Sequence, residues 1–293
     1  MKQWTTKTLE VGCVLALFLC AFALLPQPIQ ATNTATITVG GMPLAVAITP
    51  NGEYAYVPNA HNVSVISTVT NKLTSTVVTE DNPYSVAITP DGKYAYVTNG
   101  GSGTVSVINM ATNAVTATVT IGGNPYGVTI TPDGAYVYVT KGDIIDNKGV
   151  GMVSVISTAS NTVTTTITGL SSPNGIALTP NDEYAYVTNG GNNSVSVIST
   201  TTNTVNATVT VGINPYGVAL TPNGVYAYIT NLISGTVSVI STDTNTVLTV
   251  SASPADPEFS PPPLIIAIVG VAVIVFSVVI VAKKKPRKST RQV

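Results

Sequence analysis

Thiols, imidazoles and guanidinium groups are almost missing from this 293-residue chain. Its two cysteines, Cys13 and Cys20, lie in an apolar run near the N-terminus, and its one histidine is His61. Residues 32–263 therefore cannot form a disulfide, a thiolate metal site or a cysteine nucleophile. A metal or haem site built from several histidines of one chain is excluded as well.

Positive charge is also scarce over most of the sequence. Residues 32–263 hold twelve acidic residues, four lysines and no arginine, whereas the last eleven residues carry six cations. An acidic segment without arginine argues against nucleic-acid binding, which needs cations to neutralise phosphates. Charged residues make up only 9% of the chain, and the mean hydropathy is +0.37. These values are unlike those of a disordered chain or an ordinary cytosolic enzyme.

The N-terminal 31 residues have the layout of a signal peptide. Lys2 and Lys7 precede an apolar run over residues 11–25, Pro26 ends it, and residues 29–31 offer a cleavage site. The run is shorter than the roughly 20 residues that a membrane span needs. We predict a signal helix at residues 1–31, with an uncleaved anchor as the alternative.

The C-terminal segment predicts a membrane anchor. Residues 264–282 contain no charge, and the basic residues 283–293 follow at once. Such a run suits a single transmembrane helix, and the positive-inside rule places the tail in the cytoplasm and the body outside the cell. Residues 251–263 include five prolines and are predicted to form an extended stalk.

Between these ends, one sequence unit is repeated five times. A Thr-Pro-(Asn/Asp)-(Gly/Asp) turn is followed each time by Tyr-x-Tyr and then by Val-Ser-Val-Ile. The turns begin at Thr49, Thr89, Thr131, Thr179 and Thr221. Residues alternate with a period of two within each unit, which indicates short strands joined by tight turns.

Four strands in about 42 residues is the period of a propeller blade. The sequence therefore predicts an all-β, five-bladed β-propeller of four-stranded antiparallel blades. The small residues of the first strand suit a crowded inner position, while tyrosine and valine of the middle strands fill the space between blades. The predicted blades span residues 39–80, 81–122, 123–168, 169–210 and 211–250.

The repeats resemble a known family. Tyr-Val-Thr-Asn stands at residues 96–99 and 186–189, with variants in the other three units. Together with the Thr-Pro-Asp-Gly turns, these motifs are similar to the YVTN β-propeller repeat family, which includes archaeal surface antigens and secreted bacterial propellers. Members commonly have seven blades, and this chain has five units. Lactonases and haem enzymes of the broader group use polar and cationic residues that have no counterpart here.

Three groups of residues are candidate sites. Tyr84, Tyr126 and Tyr216 follow the prolines that open three units, and we expect them at one end of the channel, where they could stack on a sugar or a peptide. The alternative is that they pack blade to blade, which is the commoner role of aromatic residues. The third unit carries six extra residues, in which Asp143, Asp146 and Asn147 offer oxygen ligands for Ca²⁺, although a solvated loop is the simpler interpretation. Asn62, Asn192 and Asn206 are glycosylation sequons.

We therefore expect a non-enzymatic, single-pass cell-surface protein for adhesion, recognition or envelope structure, without a cofactor or a resident metal. Its partners would be the membrane and a surface protein or glycan. The alternatives are a lactonase-like enzyme or small-ligand-binding module, and a subunit whose open edge is completed by a second chain.

One prediction concerns closure of the ring. Residues 34–39 resemble a fourth strand without the other three. We expect them to pair with residues 237–240 of the last blade and so to join the two ends of the chain.

Overall fold

Every regular element of the described residues is a β-strand. The structure, a computed structural model, describes residues 36–145 and 148–248. The chain divides into two compact units, Met1–Thr36 and Ile37–Val293. All described residues except Thr36 belong to the second unit. The expected signal peptide, stalk, transmembrane helix and tail lie outside the described residues, within which no helix is long and apolar enough to cross a membrane.

Five four-stranded sheets follow one another along the chain, and we call them blades 1 to 5. Their strands are: blade 1, β1 (Ala47–Ile48), β2 (Tyr54–Asn59), β3 (Asn62–Ser67) and β4 (Lys72–Val78); blade 2, β5 (Pro83–Ile88), β6 (Tyr94–Asn99), β7 (Thr104–Asn109) and β8 (Ala114–Thr120); blade 3, β9 (Asn124–Ile130), β10 (Tyr136–Ile145), β11 (Lys148–Ser157) and β12 (Thr162–Leu170); blade 4, β13 (Pro173–Leu178), β14 (Tyr184–Asn189), β15 (Ser194–Ser199) and β16 (Thr204–Thr210); and blade 5, β17 (Pro215–Leu220), β18 (Tyr226–Asn231), β19 (Thr236–Ser241) and β20 (Thr246–Val247).

The strands of each blade pair antiparallel in sequence order, as predicted. The first strands β1, β5, β9, β13 and β17 lie against one another in that order. The fourth strands approach each other far less. The blades therefore fan outward from the first strands, which are the inner strands.

The Thr-Pro turns fix the register between the first two strands of each blade. In blade 2 the Thr89 hydroxyl donates to Asp91 Oδ1 at 2.7 Å and accepts the Tyr94 amide at 3.0 Å. Gly92, with φ of 71°, closes the turn by donating its amide to the Thr89 carbonyl at 2.8 Å. Glycine suits this left-handed conformation because it has no Cβ.

Tyrosine and valine of the middle strands fill the space between blades. Tyr96, Val105 and Val107 of blade 2 form one buried cluster with Val137 and Ile156 of blade 3, and similar clusters link the other neighbours. The hydroxyl of each buried tyrosine donates to Oδ1 of an asparagine in the next blade. These bonds are Tyr56 to Asn113 at 2.6 Å, Tyr96 to Asn161 at 2.7 Å, Tyr138 to Asn203 at 2.8 Å and Tyr186 to Asn245 at 2.7 Å.

The extra residues of the third unit form strand rather than loop. β10 and β11 extend the hairpin, and Gly142 pairs with Gly151 and Asp143 with Val150. The predicted solvated loop is corrected here, because alternating pairing continues through residues that look like loop in composition. Asp146 and Asn147 lie outside the described residues.

The predicted closure of the ring is wrong. The described residues 36–39 form no strand. Ile37 and Val39 pack on Ala55, Val57 and Ile66 of blade 1, and the Val39 carbonyl accepts Asn59 Nδ2 at 2.7 Å. On blade 5, the end of β19 pairs with the chain's own β20. Within residues 36–145 and 148–248, the five blades form an open array in which no blade follows blade 5.

Candidate functional site

The strongest candidate site lies where the inner strands begin. Pro83, Pro173 and Pro215 are the first residues of β5, β13 and β17 and are buried. The next residue, at the axis end of each blade, is Leu44, Tyr84, Tyr126, Asn174 and Tyr216 in blades 1 to 5. Because all inner strands start at the same end of the array, these side chains share one rim.

Three of these positions carry tyrosines that meet, and we call Tyr84, Tyr126 and Tyr216 the tyrosine mouth. The rings of Tyr84 and Tyr126 meet edge to face, with centroids 5.4 Å apart and an interplanar angle of 83°. The Tyr84 and Tyr216 hydroxyls are hydrogen-bonded to each other, although they come from blades 2 and 5. Burial raises the pKa of Tyr216 above its ordinary value. The three tyrosines are half-buried, so their rings remain accessible.

A threonine of the preceding blade holds the backbone of two of the three mouth tyrosines. The Thr98 hydroxyl donates to the Tyr126 carbonyl at 2.7 Å and accepts the Ser85 amide at 3.0 Å. Thr188 does the same for the Tyr216 carbonyl, at 2.8 Å, and the Gly175 amide, at 2.9 Å. Sequence reasoning missed this role, although the fixed place of threonine in Tyr-Val-Thr-Asn was the available signal.

The chemistry of the mouth is that of neutral hydrogen-bonding groups and aromatic faces. Lys141 lies opposite Pro125 in the ladder, but it is buried and its ammonium donates to the Ile121 carbonyl. Among residues 36–145 and 148–248, no group of three or more His, Cys, Asp or Glu side chains is placed to hold a metal ion. Tyrosine rings with hydroxyls at their edges can stack on an apolar sugar face and bond its hydroxyls.

A cavity lies at the other end of the inner strands, between blades 1 and 2. It has a volume of about 670 Å³ and is lined by the two Thr-Pro turns together with Tyr54, Tyr56 and Tyr94. The only charged lining residues, Asp91 and Lys93, form an exposed ion pair at 3.1 Å. Exposed ion pairs of this kind contribute little to binding or stability.

The other described residues that the sequence singled out lie on other strands and loops. Asp143 lies in the extended strand β10. Among the sequons, Asn192 and Asn206 are exposed, whereas Asn62 is half-buried and accepts Asn59 Nδ2 at 2.9 Å. Exposure makes the first two the better glycosylation candidates.

Comparisons with known proteins agree with this fold. A family model described as "Lactonase, 7-bladed beta-propeller" matches residues 145–255. A crystal structure of a functionally unknown protein from Desulfotomaculum acetoxidans DSM 771 is 20% identical, with a TM-score of 0.63 over 78% of this chain and 77% of that chain. The fold is that of a β-propeller. This chain differs from the seven-bladed model in its five blades and its open ring.

A weaker structural likeness is to Kuenenia stuttgartiensis Hydrazine Synthase. It is 19% identical, with a TM-score of 0.37 over 74% of this chain and 99% of that chain. No curated protein matches the chain.

Proposed function

We propose that the protein is a non-enzymatic, membrane-anchored propeller that displays the tyrosine mouth at the cell surface and binds a glycan or a surface protein there. The observation that carries the proposal is the meeting of Tyr84, Tyr126 and Tyr216 from three blades. Aromatic faces and neutral hydroxyl groups suit a sugar ring or an extended peptide better than a phosphate or a nucleic acid.

The surface location is supported by sequence alone. The apolar run at residues 11–25, the uncharged run at residues 264–282 and the basic tail after it suit an exported body on one C-terminal anchor. Protease added to intact cells should remove the body and spare the tail. Protection of the body from the protease would contradict this orientation and place the body inside the cell.

A glycan and protein array probed with the purified body tests the binding function. The variant Tyr84→Ala/Tyr126→Ala should bind its best ligand at least about tenfold more weakly, which corresponds to about 1.4 kcal/mol. Tyr136→Ala is the matched control, because Tyr136 is an exposed tyrosine outside the mouth. Equal loss in both variants, with both folded, would move the binding site elsewhere.

The second candidate is a lactone hydrolase, and the match of residues 145–255 to the lactonase model favours it. A panel of sugar and aliphatic lactones should show no enzyme-dependent ring opening if the binding proposal is right. Turnover above the uncatalysed rate, retained through purification, would favour the hydrolase instead.

A further inference from the structure

The two ends of the blade array are unlike the junctions inside it. At each of the four internal junctions a buried tyrosine hydroxyl donates to an asparagine of the next blade. Blade 5 retains this tyrosine as Tyr228, and blade 1 retains the asparagine as Asn71. In the part of the chain that the structure describes, neither side chain has a hydrogen-bond partner.

The exposure of a valine on blade 5 also indicates that this blade lacks a neighbour on one side. Val237 is 51% exposed on blade 5, whereas the corresponding valines of the other four blades are 0% exposed. Those four valines are Val63, Val105, Val153 and Val195. An apolar side chain that is buried four times and exposed once marks a surface from which a neighbour is missing.

The N-terminal segment covers blade 1 in the way that the end of a preceding blade would. The Val39 carbonyl accepts the Asn59 side chain as the Ile121 carbonyl, at the end of a fourth strand, accepts Lys141. Ile37 and Val39 also cover blade 1 where Val119 and Ile121 of blade 2 cover blade 3. Residues 37–39 thus lie on blade 1 where the end of a fourth strand lies on blade 3.

The loops at the two ends carry matching apolar side chains. At the junction of blades 4 and 5, a Cβ on Gly190 would lie only 2.7 Å from Asn214 Oδ1. The corresponding residues at the free ends are Leu232 and Met42, which are 62% and 69% exposed. These two residues would therefore touch wherever blade 5 meets a blade 1.

We propose that blade 5 docks on blade 1 of a second copy of this chain, in a head-to-tail junction that repeats the internal ones. Tyr228 donates to the partner copy's Asn71, and Val237 becomes buried against the partner copy's blade 1. Leu232 packs against the partner copy's Met42. Surfaces so specific to each other, and so apolar, fit another copy better than an unrelated protein.

Paired cysteines in the full-length chain test the junction in membranes. The described residues contain no cysteine, so a Cys13→Ser/Cys20→Ser background leaves only the thiols that are introduced. Cells co-expressing Leu232→Cys and Met42→Cys chains should give a disulfide-linked heterodimer on mild oxidation. Each chain alone, and Leu232→Cys with Val78→Cys, should give at least about tenfold less.

Two further variants decide between outcomes. The Leu232→Cys/Met42→Cys double variant on one chain should form covalent oligomers, whereas an internal disulfide in a monomer would show that the chain closes on itself and would overturn the proposal. Absence of any cross-link would also overturn it. Tyr228→Phe should lower the cross-linked fraction about fivefold. Tyr136→Phe, at an exposed tyrosine of blade 3 away from the junction, should leave it unchanged.

Discussion

At the scale of single residues, Asp182 occupies a position in its Thr-Pro turn whose backbone conformation is unfavourable for any residue except glycine. The other four turns have glycine there, and Asp182 adopts φ of 59°. Its Oδ1 atom is buried without a partner within the described part of the chain. Burial, and then the charge of Asp133, raise the pKa of the Asp182 carboxyl.

Asp182→Gly should stabilise the protein by about 1 kcal/mol, because it relieves left-handed strain and removes the unpaired oxygen. A raised folded-state pKa means that the stability contributed by the protonated form is lost as pH rises above the unfolded value of about 3.9. The gain in unfolding free energy should therefore be larger at pH 7 than at pH 3. Denaturant unfolding at both pH values measures it.

The reciprocal change serves as the control. Gly134 holds the same place in blade 3 with φ of 76°, and a Cβ there would lie 3.3 Å from Pro90. Gly134→Asp should lower the unfolding free energy. If Asp182→Gly is neutral or destabilising, the turn requires the carboxylate for a reason other than its backbone.

The buried tyrosines predict an alkaline limit to stability. Burial raises the pKa of Tyr96 to about 12, and the same holds for Tyr56, Tyr138 and Tyr186. Because their folded-state pKa is raised, these tyrosines contribute stability at pH values below their unfolded pKa of about 10. This contribution is lost as the pH rises from 10 to 12. Folding should therefore weaken over that interval.

Tyr96→Phe should cost about 1 kcal/mol at pH 7, because Asn161 loses its donor. It should also reduce the fall in stability between pH 10 and 12. Tyr228→Phe, measured in dilute solution, is the matched control and should cost much less. Equal losses in the two variants would mean that the hydrogen bond between blades contributes nothing.

At the scale of elements, the extended hairpin of blade 3 places two paired glycines in different surroundings. Gly142 and Gly151 lie opposite each other in the β10–β11 ladder. A Cβ on Gly151 would lie 2.1 Å from Pro173 Cδ, whereas a Cβ on Gly142 would make an ordinary 3.4 Å contact with Tyr126. Substitution by alanine therefore tests the packing between blades at Gly151 and only the local backbone preference at Gly142.

Gly151→Ala should destabilise the protein by roughly 2 kcal/mol, because blade 4 has to move away from the hairpin. Gly142→Ala should change the unfolding free energy by less than about 0.5 kcal/mol. Thermal unfolding of the two variants beside the wild type measures the difference. A harmless Gly151→Ala would show that the contact between blades 3 and 4 is loose.

Local sequence was enough to predict the blades and the position of the mouth. The Thr-Pro turns set each inner strand, and the residue after the opening proline falls at the same end every time. The hairpin extension could not be predicted, because glycine and charge in residues 141–151 are equally typical of a loop. Bonds such as Tyr96 to Asn161 join residues 65 apart in sequence, and only the packing of neighbouring blades brings them together.

At the scale of the whole molecule, ring closure depends on the angle between blades summed around the axis, which no single repeat encodes. The sequence predicted a spare fourth strand at residues 34–39, but the described residues 36–39 form no strand and lie on blade 1 rather than on blade 5. In an open array each blade is stabilised mainly by the blades beside it, so the terminal blades have less support than the central ones.

Hydrogen exchange should expose this difference between blades. β14–β15 and β18–β19 have the same six-residue ladder, so their amides differ in surroundings rather than in backbone bonding. Amides of Ala227 and Ile229 should exchange at least about tenfold faster than those of Ala185 and Val187 in dilute protein, since blade 5 lacks a following neighbour. Raising the concentration should slow blade 5 selectively as copies join end to end. Equal protection of both hairpins at the lowest concentration would mean that the ring closes within one chain.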